Sequence, residues 1–232
     1  MTLLLGGKQS AIKQVAVVTR NQQFKRLLAS ILADWKFFAV EDASAATVVF
    51  VERGLDLPEP AAEVVWLTPM PLSEGDFLMI PISLTELYFL LETRFFPTPR
   101  RHIRVNLETM LDLKIGNEWL EGQLASLSVR GGRFNCAREI SRGTELTLDL
   151  RLDGDMLRIP SEDLYCIPAG DSPGRRQPQI GVLFKPADVA MFELLKRFIE
   201  KTCIEYACAR EGVSLHDPCL SWLDMPLLNG RS

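Results

Sequence analysis

The chain has 232 residues, 47% of them hydrophobic and 24% charged, and carries a formal net charge of −4. That length allows one large domain or two modest ones, and the composition excludes intrinsic disorder while supplying a core for each half. The acidic balance, Asp+Glu 30 against Lys+Arg 26, argues against a general nucleic-acid binder, which needs a basic face, but leaves room for a local basic site.

The first half alternates strand-like and helix-like segments. A strand is expected over Val15 to Thr19, followed by a helix in which Phe24, Leu27, Leu28, Ile31 and Leu32 recur every three or four residues and Asn21 stands as the cap. Short apolar runs follow, 37-FFAV-40, 48-VVFV-51, 64-VVWL-67 and 77-FLMI-80, and then a helix from about Leu84 to Thr93. Such runs between helices predict a small α/β layer with a mostly parallel sheet. The longest apolar segment, 77-FLMIPISLTELYFLLETRFF-96, is broken by Pro81 and carries Glu86 and Glu92, which fits a strand plus a helix and not a membrane span. The start, MTLLLGGKQS, has no basic n-region, and the five cysteines contain no CxxC pair, so a soluble cytoplasmic protein with reduced thiols is expected.

The segment 94-RFFPTP-99 reads as a linker, because each proline pushes the preceding residue away from helical geometry. From Val105 the pattern changes to β runs separated by turn signals at Gly116-Asn117, Arg142-Gly143, Asp153-Gly154 and 169-AGDSPG-174, the spacing of an antiparallel barrel or sandwich. One helix follows over residues 188–210, with Gly212 as its stop, and the tail from Val213 to Ser232 has no periodicity and no assigned role.

No G-x-S-x-G, Walker-type loop or Rossmann fingerprint occurs, so no catalytic residue or cofactor is assigned and an enzyme is not expected. Cys203, Cys208, His216 and Cys219 match no common metal-ligand spacing, and the cysteines are read as buried small hydrophobes with no metal site.

Two features stand out against this background. In 97-PTPRRHIRVNL-107, Arg100, Arg101, His102 and Arg104 follow two prolines. In 124-LASLSVRGGRF-134, strand alternation would turn Ala125, Leu127 and Val129 inward and leave Ser126 and Ser128 outward with free hydroxyls. Gly131-Gly132 would then close the strand by a positive φ or a close ligand approach; a plain β-turn with incidental serines is the bland alternative. No acidic residue lies between Gly122 and Arg138, while Arg130 and Arg133 flank the glycines.

Arg100 and Arg104 in RRHIR, together with SLSVRGG, resemble the two signatures of the PilZ family, R-x-x-x-R and (D/N)-x-S-x-x-G, and 180-IGVLFKPADVAMFELLKRFIE-200 looks like the family's last strand and closing helix. The resemblance covers about residues 97–210 and implies a six-stranded antiparallel barrel with a C-terminal helix that binds the second messenger cyclic di-GMP. Arg100 and Arg104 would grip phosphate and guanine, with Arg101 beside them, because arginine forks hold phosphate bidentately and stack on bases. Ser128 would bond near phosphate or base, and Gly131 would leave room for the purine. The chain has Ser126 where the family has Asp or Asn, and a neutral hydroxyl in place of a carboxylate acceptor lowers affinity by about ten-fold if uncompensated.

The first half is similar to a response-regulator receiver domain, but with Thr19 and Arg20 in place of the acidic pair, Glu52 at the phosphoacceptor position and Ile80-Pro81 for the usual Lys-Pro; Thr68 fits the family's hydroxyl position. Without the carboxylates there is nothing to bind Mg²⁺ or take a phosphoryl group, which implies a pseudo-receiver. An unrelated α/β domain is the alternative.

The resulting expectation is an α/β receiver-like domain over 11–93, a linker over 94–99, a PilZ-like barrel over 100–212 and a tail over 213–232. It would act as a cyclic di-GMP effector whose ligand alters domain arrangement and exposes a surface to an unknown protein partner; a homodimer stays open. A degenerate barrel that no longer binds nucleotide and serves as an interaction or dimerisation scaffold is the alternative.

Overall fold

The apolar runs of the first half become strands of one parallel sheet. In a computed structural model, which describes residues 13–56, 63–171, 176–185 and 189–225, β1 (Gln14–Val18), β2 (Phe38–Val40), β3 (Val48–Glu52), β4 (Glu63–Thr68) and β5 (Asp76–Met79) pair in the order β2-β1-β3-β4-β5. That order is one of the two common doubly wound arrangements. Val48, Val49, Phe50 and Val51 are all fully buried, as strands covered on both faces must be. One face packs as Ala16, Ala43, Ala46, Val49 and Val51 with Val18, Val40, Val64 and Trp66.

α1 (Gln22–Asp34) starts where expected: the Asn21 side chain accepts from the Phe24 amide at 2.9 Å, and Phe24, Leu27, Leu28, Ile31 and Leu32 are buried. A 3-10 turn at Ala43–Ala45 stands in the β2–β3 connection, where a longer chain would place a helix.

Among the described residues, contacts gather those up to Ser83 and Ala207–Asp224 into one unit and Leu84–Tyr206 into another. Part of the segment left without a role therefore has one. Ile82 bridges Leu223, with its amide donating to the Trp222 carbonyl at 2.8 Å and its carbonyl accepting from Asp224 at 2.9 Å. Trp222 packs on Phe24 at 4.8 Å, and Cys219 and Leu220 are buried. Periodicity could not show this, because a five-residue 3-10 turn, Pro218–Trp222, has no amphipathic repeat to read. Residues 226–232 lie outside the described residues.

In the second unit, α2 (Leu84–Phe95) is followed by β6 (Val105–Ile115), β7 (Glu118–Ser128), β8 (Gly131–Cys136), β9 (Glu145–Leu152), β10 (Asp155–Ile167) and β11 (Gln179–Phe184), and then α3 (Val189–Glu211). The six strands close an antiparallel barrel in the order β10-β11-β8-β7-β6-β9. Inward residues include Leu113, Leu124, Phe134, Leu148, Leu150, Ile159 and Ile180, all fully buried. Asp153 and Gly154, both at positive φ, join β9 to β10 by a tight turn whose twist matches the flanking strands. Gly212, at φ +64, ends α3 as expected. Part of the 169–174 turn and residues 186–188 lie outside the described residues.

All five cysteines are free thiols. Cys203, Cys208 and Cys219 are buried, and burial with the neighbouring Asp217 pushes the Cys219 thiol up to about 12. Among the described residues no helix is long and apolar enough to cross a membrane.

One inward residue goes against the core chemistry. Asp163 is 1% exposed, and neither carboxylate oxygen makes a well-formed hydrogen bond, although the Tyr165 amide lies close. Burial raises its pKa, offset in part by Arg142 and that amide. A carboxyl whose pKa is raised by folding keeps a proton that the unfolded chain releases, so stability falls as pH rises from the ordinary carboxylate range through the raised value. Asp163→Asn is expected to raise stability at about pH 7 by about 1–3 kcal/mol, with the gain vanishing near pH 3. Thermal melts of the two proteins at both pH values check this; a variant less stable at neutral pH would show that the carboxylate is compensated.

Candidate functional site

The arginine segment runs directly into β6, and β6 pairs with the strand that carries the serines. Val105 faces Leu127 and Asn106 faces Ser126 across the β6–β7 ladder, so the β6–β7 hairpin brings two segments some twenty residues apart side by side. Ile103 is buried, as a spacer turned toward the barrel should be, while Arg100, Arg101 and Arg104 are exposed.

The three arginines differ in their attachments. The Arg100 amide donates to the Glu92 carboxylate at 2.8 Å; Glu92, on α2, is buried. The Arg100 guanidinium lies beside the Tyr88 hydroxyl, which is pushed up to about 12 by burial first and by Glu92 next, with Arg100 opposing. α2 therefore anchors the start of the segment. In the sequence Glu92 marks only a charge unsuited to a membrane span, and its eight-residue separation from Arg100 carries no signal of this contact. Among the described residues, the Arg101 and Arg104 side chains make no hydrogen bond or ion pair. His102 packs edge-on against Phe192 at 5.9 Å, and burial, Arg130 and Arg101 lower its pKa, which favours the neutral imidazole.

The serine–glycine segment departs from the simple alternation. A bulge between Leu124 and Ser126 shifts the register of β7 against β8, which places both Leu124 and Leu127 in the core and leaves Ala125 half-buried. Ser126 and Ser128 share the outer face, yet neither is open: they are 9% and 7% exposed, and the Ser128 hydroxyl donates to the Gly131 carbonyl at 3.0 Å. The expectation of free hydroxyls is corrected to this extent. The donated proton leaves the lone pairs of Ser128 as its remaining hydrogen-bonding capacity.

Gly131 and Gly132 do not close β7 either; Val129 and Arg130 form the turn, and the glycines begin β8 without positive φ. A Cβ on Gly131 would lie 2.2 Å from the Val182 carbonyl oxygen, so this position is glycine because β11 passes against it.

Ser126 continues across the sheet to Arg133 on β8, then Gly181 on β11 and Tyr165 on β10. With Asn106 these residues form one outward row on five strands. The Tyr165 ring covers Gly181, where a Cβ would come within 2.2 Å of it.

In the first unit, a second polar cluster lies at the carboxyl ends of β1, β3 and β4, where ligands of such sheets usually bind. The Glu52 carboxylate accepts from the Thr19 hydroxyl at 2.7 Å and from the Arg20 amide at 2.8 Å, and the fully buried Thr68 hydroxyl donates to the Met70 carbonyl at 2.8 Å. Among the described residues no group of His, Cys, Asp and Glu could hold a metal ion.

Residues 98–201 match the family model for the PilZ domain. No curated protein matches the chain. Similar solved structures include the PilZ domain with c-di-GMP of YcgR from Escherichia coli, at 15% identity and TM-score 0.42 over 50% of this chain and 98% of that one. YcgR in complex with c-di-GMP from Escherichia coli aligns at 18% identity and TM-score 0.40 over 51% of this chain and 50% of that one. The Borreliella burgdorferi PlzA protein in complex with c-di-GMP aligns at 13% identity and TM-score 0.32 over 47% and 45%. The chain thus spans about half the length of the latter two.

Proposed function

We propose, residues 98–201 being a PilZ domain, that this chain is a cyclic di-GMP-binding effector that acts by binding and not by catalysis. The observation that carries the reading is the pair of exposed, unpaired guanidiniums, Arg101 and Arg104, on a segment that leads into the strand beside Ser126 and Ser128. Arginines whose forks are not taken up by an ion pair are suited to phosphate, the charged part of a cyclic dinucleotide.

In this reading Arg104 and Arg100 hold phosphate and guanine, with Arg101 beside them. Arg100 is already anchored through its amide, so less freedom is lost when the ligand arrives. Ser128 accepts from the ligand, Ser126 lies under it, and Gly131, paired with Ser128, lets β11 pass directly against β8 beside them. A ligand that binds only the folded chain raises its melting temperature, by about 2.7 kcal/mol of stability at a hundred-fold excess over Kd. Cyclic di-GMP is expected to produce that shift and GMP at equal concentration is not; equal or absent shifts would favour the scaffold reading, to which Ser126 points.

Nucleotide binding then biases the arrangement of the two units and so presents a surface to a protein partner or a second copy. This follows only if the two arrangements bind ligand with different affinity. The first unit serves as a pseudo-receiver. Its Glu52 is engaged by Thr19 and Arg20, and among the described residues no group of three or more His, Cys, Asp and Glu forms a site for Mg²⁺. Incubation with a small phosphodonor and Mg²⁺ is expected to leave the protein unmodified by mass; a phosphorylated Asp or Glu in the first unit would overturn this assignment.

A further inference from the structure

Arg133 carries a feature that the two motifs do not explain. Its Nε is buried and has no hydrogen-bond partner, one of the few such side-chain atoms among the described residues. A guanidinium stays charged at any physiological pH, and a buried N–H without an acceptor is costly, so native proteins keep such a group where something else satisfies it. No acidic residue lies between Gly122 and Arg138, and among the described residues none is paired with Arg133.

Its position says what the acceptor belongs to. Arg133 stands directly across the β7–β8 ladder from Ser126, on the same outward face, with strands about 4.8 Å apart. On its other side Gly181 has no side chain, and the exposed Tyr165 ring lies over that glycine. The row is therefore a donor fork between a small hydroxyl and an aromatic ring, with Gly131 and Ser128 one step along the same face.

The PilZ pattern has a carboxylate or amide at position 126, an acceptor suited to the N–H groups on the Watson–Crick edge of guanine. This chain has Ser126 there, and its strong polar group in the row is a donor. Guanine offers two adjacent acceptors, N7 and O6, on its opposite edge, and an arginine fork fits this pair bidentately. We propose that Arg133 is a specificity-determining residue that reads the N7/O6 edge of guanine, replacing the acceptor lost at Ser126. The inference rests on the cyclic di-GMP reading above and deepens it: the chain would require N7 and O6 of the base and tolerate loss of the 2-amino group.

Calorimetric titration of the full chain with cyclic di-GMP, its 7-deazaguanine analogue and cyclic di-IMP tests this. The unmodified protein is expected to bind the 7-deaza analogue about ten-fold more weakly than cyclic di-GMP, since one charge-assisted bond is lost, and to bind cyclic di-IMP nearly as well as cyclic di-GMP. In Arg133→Met the difference between cyclic di-GMP and its 7-deaza analogue should vanish. Arg133→Lys, whose ammonium can still donate to N7 and O6 without the planar fork, should keep part of that difference, and this guards against a folding defect in the first variant. If Arg133→Met weakens both guanine ligands equally, the residue holds phosphate and the inference fails; if it changes neither, the fork has no ligand role and it fails again. In both cases nucleotide binding itself stands. If the unmodified protein binds none of the three, the effector reading falls and this inference with it.

Discussion

Gly131→Ala is expected to destabilise the barrel by about 3 kcal/mol, the upper end of the usual penalty for overpacking. The methyl group would meet the Val182 carbonyl oxygen at 2.2 Å, and that atom belongs to the backbone of β11 and cannot rotate away. β8 and β11 must separate, which breaks the Gly131–Leu183 pairing and loosens the strand that receives the Ser128 hydrogen bond. In a chain of this length the loss corresponds to a fall in melting temperature of roughly 6–12 °C. Thermal denaturation followed by far-UV circular dichroism measures it. An unchanged melt would show that the strands relax freely, and the glycine would then be better explained by space for a ligand.

Arg104→Ala separates binding from folding in the opposite sense. Arg104 is exposed and has no partner among the described residues, so its loss should leave the melting temperature nearly unchanged, within the usual range of about 0.5 kcal/mol for surface positions. Its guanidinium would make two charge-assisted bonds to phosphate, and losing them should weaken cyclic di-GMP binding by about 100-fold or more. Arg100→Ala is a less clean probe, because the Arg100 guanidinium also lies beside the Tyr88 hydroxyl next to Glu92. A large fall in stability for Arg104→Ala would mark the arginine as structural.

The strands, the helix caps and the arginine segment were legible in the sequence because each rests on local pattern. Asn21 caps α1, Asp153-Gly154 turns β9 into β10 and Gly212 ends α3, all through interactions spanning a few residues. What escaped depends on partners distant in the chain. The Leu124–Ser126 bulge shifts the alternation ahead of the serines, and no local signal marks it, so Ala125 reads as inward where Leu124 fills the core; Ser126 and Ser128 keep the outer face but are buried there, which alternation alone does not show. Gly131 reads as a turn residue until the passage of β11 is known. Glu92 and Tyr88 gain meaning only once α2 lies beside Arg100. Arg133 was visible as a flanking charge, but its pairing with Ser126 and its orphaned Nε emerge only from the closed barrel. Part of the C-terminal tail joins the first unit through one bridge and a packed Trp222, contacts that periodicity does not encode.

The most direct measurement is a calorimetric titration of the full chain with cyclic di-GMP, run in parallel on Arg104→Ala. Saturable heat at ligand concentrations up to tens of micromolar, lost in the variant while its melting temperature stays put, is the predicted result. No heat from the unmodified protein, together with no competition against a labelled cyclic dinucleotide, would contradict the effector assignment and leave the barrel as an interaction scaffold.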